Sequence, residues 1–89
     1  MPNIELHGYP QKDAIAVRNK VRTVLETLSY ADEVVTTIVP SRVANLKGRR
    51  MPFLRVITTP DELPDLKKRL APLGEDIEVI PLGEWIPKE

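Results

Sequence analysis

The chain has no cysteine, and therefore no disulfide framework, no thiolate metal site and no thiol nucleophile. That composition suits a reducing compartment, with the cytoplasm as the default expectation. Aromatic residues are scarce at 4%, with one tryptophan, which leaves no string of sheet-face rings for stacking RNA bases. Net charge is absent too, because 13 Lys and Arg cancel 13 Asp and Glu. A chain without a long-range positive field is a poor nonspecific binder of phosphate backbones, so no nucleic-acid partner is expected. No apolar run approaches the roughly 20 residues of a membrane-spanning helix. The start of the chain also lacks the basic and apolar regions of a signal peptide, so neither a membrane nor a targeting role is expected.

What is present fits one small globular domain over residues 1–89, with 42% hydrophobic and 29% charged residues. A domain of this size buries only about 60–70% of the surface its unfolded chain exposes, so self-association would add useful stability.

The first nine residues, Met1 to Tyr9, read as an edge-to-core strand whose start tolerates Pro2. Gly8-Tyr9-Pro10 breaks that strand, and Asp13 suits the positive end of a following helix. Ala14, Val17, Val21, Val24, Leu25 and Leu28 recur at three- and four-residue steps and predict its buried stripe. Glu33 to Val39, rich in Val and Thr, predicts a second strand with two apolar faces. One helix layer cannot cover both, so the second face is expected to meet another subunit, with the C-terminal tail as the alternative. Phe53 to Thr58 reads as a third strand. Thr59-Pro60-Asp61-Glu62 has the form of a capped helix start, with Pro64 as the alternative beginning. Pro72 and Gly74 end that short helix, Ile77 to Ile80 form a fourth strand, and Trp85 is expected to pack rather than bind ligand. The order is α+β, β-α-β-β-α-β.

Residues 40–52 form a long connection, an arm or wide hairpin, that carries Arg42, Lys47, Arg49 and Arg50 and no acid. Surface arginines are ordinarily just hydrated, but this cluster is the candidate site for a small anion. His7, a lone histidine on a strand, is read as structural. Pro2 offers chemistry of another kind. If Met1 is removed, it becomes a secondary amine on a rigid strand end, which suits a catalytic base.

The Met1-Pro2 start running into a strand, the long helix, the Val/Thr-rich strand and the arm before Pro52-Phe53-Leu54-Arg55-Val56 together resemble the tautomerase superfamily. The resemblance spans about residues 1–58. It implies tandem βαβ units, a homo-oligomer built on trimers, and cofactor-independent and metal-free keto-enol isomerisation of a small 2-oxo or enol carboxylate. It also implies Pro2 as the base and Arg42 as the substrate-binding arginine, with Arg49 and Arg50 as weaker candidates. The family's basic residue after the first strand has only Lys12 to represent it. The alternative is a ferredoxin-like sandwich of the same element order, acting as a noncatalytic domain that binds a small ligand or a protein.

Overall fold

The computed structural model describes residues 2–82 and Ile86; the expectation for Trp85 lies outside them. The elements in chain order are β1 (Asn3–His7), α1 (Gln11–Leu25), β2 (Val35–Val39), β3 (Phe53–Thr58), α2 (Leu63–Leu70) and β4 (Ile77–Pro81). They form the expected α+β arrangement of two βαβ units. Strand order is β2-β1-β3-β4, with β1 parallel to β2, β3 parallel to β4, and β1 antiparallel to β3. The ferredoxin-like alternative splits each βαβ unit by a strand from the other half. Here the two strands of each unit are neighbours, so that alternative is excluded.

β1 is shorter than Met1 to Tyr9 and is a central strand, because both its edges are bonded and Gly8 turns the chain at φ 78°. α1 opens directly after Pro10, whose carbonyl accepts from Ala14 N at 2.8 Å, and Asp13 falls in its first turn. Its buried residues are Ala14, Val17, Val21 and Leu25, which lie on one stripe. β2 begins at Val35 because Glu33 belongs to a 3-10 turn over Ala31–Glu33, in which Glu33 N donates to Tyr30 O at 2.9 Å.

α2 starts later than the Thr59 motif predicts. Pro60 and Asp61 form a separate turn, closed by Glu62 N donating to Thr59 O at 3.2 Å, and helical bonding begins past it. Glu62 does reach back, but Thr59 Oγ1 donates to its Oε1 at 2.9 Å and the helix has no side-chain cap. Thr58, which is buried, donates to the same carboxylate oxygen at 3.3 Å. Thr59→Ala therefore removes one of two hydroxyl contacts and no cap, and the expected loss in a denaturant titration is about 1 kcal/mol.

Both helices lie on one face of the sheet. Ile4, Leu6, Leu54 and Val56 point to that face and are at most 1% exposed, packed with Val21, Leu25, Leu66 and Leu70 in one cluster. The other face carries a polar row set by register. Glu5 stands opposite Arg55, and Arg55 opposite Glu78. Arg55 Nε bonds Glu78 Oε1 at 2.7 Å and its Nη1 lies 3.6 Å from Glu5 Oε1. His7 stacks on Phe53 with ring centroids 4.9 Å apart and meets Glu5 Oε1 through Nε2 at 2.8 Å.

The β1–β3 register pairs Asn3 with Ile57, Glu5 with Arg55 and His7 with Phe53. A two-fold axis between Glu5 and Arg55 is one of those compatible with this pairing, and it carries Asn3 onto Phe53, His7 onto Ile57 and Pro2 onto Pro52. Along it the halves share a Met-Pro-Xaa-Ile/Leu start, in Met1-Pro2-Asn3-Ile4 and Met51-Pro52-Phe53-Leu54.

Gly8 is fixed by two constraints at once. Its φ of 78° is left-handed, and a Cβ there would sit 2.9 Å from Val43 Cβ, where the arm crosses the end of β1. Gly8→Ala is expected to cost about 1–3 kcal/mol in thermal unfolding, because L side chains rarely adopt that conformation and the arm must also shift.

Candidate functional site

Pro2 is fully buried, and its carbonyl accepts a hydrogen bond from Val35 N at 2.9 Å. Burial and this bond fix the residue where β1 enters the middle of the sheet. Extending the β1–β3 register by one pair places it opposite Thr58. With Met1 attached, the Pro2 nitrogen is a tertiary amide and carries no lone pair for proton transfer. Removal of Met1 would make it an amine.

The arm is well defined by local bonding. Ala44 and Arg50 form an antiparallel bridge, and Met51 N donates to Val43 O at 2.9 Å. At the tip, Asn45 Oδ1 accepts from Lys47 N and Arg49 N at 3.0 Å each, while Gly48 takes φ 82°. Such an Asx-type turn explains why Asn and Gly occur where they do. Arg42 lies along the arm, its Nη2 donating to Gly48 O at 3.4 Å. Arg49 and Arg50 are exposed.

Within one chain the structure does not bring these groups together. β1 and β2 run parallel, and the arm leaves from Val39, at the end opposite Pro2. The strand between Pro2 and Gly8 spans about 20 Å at roughly 3.3 Å per residue. The arm and the connections at the Pro2 end differ in charge. Residues 26–34 and 59–62 carry Glu26, Asp32, Glu33, Asp61 and Glu62 with no Lys or Arg, whereas the arm carries four cations and no acid. The contrast is between these segments and not between whole ends of the chain, since the loop before β4 sets Glu75 and Asp76 at the arm's end of the sheet.

The sequence reading missed these acidic connections. The signal was available, since residues 26–34 and 59–62 contain no base, but only the topology puts both beside Pro2. It also missed Tyr9, which is 8% exposed and donates to Glu75 Oε1 at 2.6 Å. Burial, then that bond and the carboxylate's charge, push the Tyr9 hydroxyl well above its ordinary range. It stays protonated and ties the β1–α1 loop to the loop before β4.

Two cavities of about 480 Å³ border α1. The one nearer Pro2 has an apolar floor that includes Val21, Leu25, Ala31 and Val34, with Glu26 and Asp32 at its rim. Arg18, Asn19, Arg22 and Thr36 complete its lining. Val34 connects it to the Pro2 mount, since it precedes the residue that bonds the Pro2 carbonyl. Among the described residues, no helix is long and apolar enough to cross a membrane.

No family model and no curated protein matches the sequence. Among solved structures, the chain is similar to a domain of unknown function (DUF1904) from Sebaldella termitidis, at 18% identity and a TM-score of 0.46, covering 92% of this chain and 89% of that one. It is also similar to N1, a member of the cis-3-chloroacrylic acid dehalogenase family, at 15% identity and a TM-score of 0.45, covering 97% of this chain and 84% of that one.

Proposed function

We propose that the protein is a cofactor-independent tautomerase in which Pro2, freed by removal of Met1, is the general base. The observation that carries this reading is the mount of Pro2: a fully buried residue, bonded through its carbonyl to Val35 N, at the head of a central strand. A secondary amine held there keeps a fixed direction toward a bound substrate. Burial lowers the pKa of such an amine toward neutrality and favours proton abstraction, while the carboxylates at the same end oppose that shift.

The amine takes a proton from the carbon beside a carbonyl, leaving an enolate, and returns it to another carbon of the same molecule. No atom is gained or lost. A cation must hold the substrate carboxylate and steady the enolate. Arg42, with Arg49 and Arg50 in support, performs that role from the arm of a second copy, because a chain's own arm sits about 20 Å away at the far end of β1. The active species is therefore a homo-oligomer, with a trimer favoured, and its substrate is a small 2-oxo or enol carboxylate.

Processed protein is expected to isomerise the enol form of a 2-oxo acid, followed by loss of enol absorbance. Arg42→Ala should raise KM about tenfold or more, as loss of a charged hydrogen bond predicts. No rate above buffer in processed protein would overturn the enzyme reading. A noncatalytic domain for a small ligand or protein is the second reading, and the 480 Å³ cavity beside α1 favours it.

A further inference from the structure

We infer that the arm tip of one copy docks, head to tail, in the cavity between α1 and β2 of a second copy, with Leu46 as the anchor. Leu46 is completely exposed, at 107%, on a turn that Asn45 already holds in place through two backbone N–H groups. A pre-ordered tip loses little conformational freedom on binding. Lys47 and Arg49 flank it and are exposed as well.

The cavity beside α1 at the Pro2 end complements that tip. Its floor of Val21, Leu25, Ala31 and Val34 accepts an aliphatic side chain, and Glu26 and Asp32 stand at the rim to meet Lys47 and Arg49. Arg18 and Arg22 line the same cavity, so the complementarity depends on Glu26 and Asp32, toward its Pro2 end. The wider charge pattern agrees: four cations and no acid on residues 40–52, against five acids and no Lys or Arg on residues 26–34 and 59–62. Opposite ends of one chain supply the two surfaces, so the contact is heterologous, and copies joined this way close into a ring when the rotation permits.

This inference extends the proposed function, since a tip seated beside Val34 brings the arm's arginines to the partner's Pro2 end. Its test reads association and not turnover, so the two can fail separately. Sedimentation of the wild-type protein should show a species larger than monomer that weakens as salt is raised. Leu46→Glu and Asp32→Arg should each weaken association by about thirtyfold or more, as expected for removal of an interface anchor or reversal of a rim charge. Circular dichroism should show both variants folded, because both positions are exposed.

Mixing the two variants gives the decisive result. Each keeps one intact surface, so an equimolar mixture should form one-to-one dimers that neither variant forms alone. A wild-type protein that stays monomeric at all concentrations would overturn the inference. So would variants that assemble like wild type, or folded variants that fail to pair when mixed.

Discussion

Protein that retains Met1 is expected to turn over an enol-form 2-oxo acid about 10²–10⁴-fold more slowly than processed protein, the share of catalysis that a positioned general base supplies. Pro2→Ala in processed protein has a smaller effect. The alanine amine is primary and more mobile, yet it remains a base at the same strand end. Retained Met1 converts the nitrogen to an amide and displaces the free amine by a residue. The order of the rates, processed wild type above Pro2→Ala above the Met1-retaining form, separates loss of the base from loss of its mount. Circular dichroism should show the same helix content in all three, because β1 is held by β2 and β3 on either side. Equal rates in the three proteins would mean that Pro2 has no part in the chemistry.

Leu54→Ala is expected to lower stability by about 2–5 kcal/mol, a loss that combines removed apolar area with the cavity left behind. Leu54 is 0% exposed and sits on a central strand between β1 and β4, where the surrounding side chains have little freedom to collapse. A chain of 89 residues has roughly 4–13 kcal/mol of total stability at 0.05–0.15 kcal/mol per residue. The substitution therefore removes a large part of it, read as a lower urea midpoint or as loss of the folded state at 37 °C. Ile15→Ala provides the control: Ile15 is 42% exposed on the outer side of α1, and its change should stay within about 0.5 kcal/mol. Equal midpoints for the two variants would place the core elsewhere.

Much of this fold was legible in the residues. The Val and Leu spacing of α1 identified its buried stripe because a 3.6-residue period admits few other readings. Phe53–Thr58 emerged with the same bounds as the observed strand, since Pro52 and Pro60 punctuate it on both sides. The Thr59 start of α2 was wrong, and the alternative at Pro64 lies one residue from the observed start, because a capping-box pattern also fits a separate turn: Glu62 folds back onto two hydroxyls without capping the helix. The two βαβ units were legible as an element order but their residue-by-residue alignment was not, because the halves share little beyond a Met-Pro start; the β1–β3 register is compatible with Pro2 and Pro52 as counterparts. The candidate site was legible as residue types but not as a place. Pro2 and the arm can each be singled out as candidates in the sequence, yet their positions at opposite ends of the sheet follow from the parallel pairing of β1 with β2, a long-range fact that local pattern does not carry. The Glu5–Arg55–Glu78 row was hidden for the same reason.

The proposed site takes its base and its cation from different copies, and one measurement tests this directly. Met1-retaining protein keeps the arm but lacks the free Pro2 amine. A processed variant with Arg42, Arg49 and Arg50 replaced by alanine keeps the base but lacks the cations. The two, each nearly inactive alone, should recover turnover when mixed, because some sites then combine the free Pro2 amine of one copy with the arginines of another. A mixture no faster than the sum of its parts, from variants that still assemble together, would contradict the shared site.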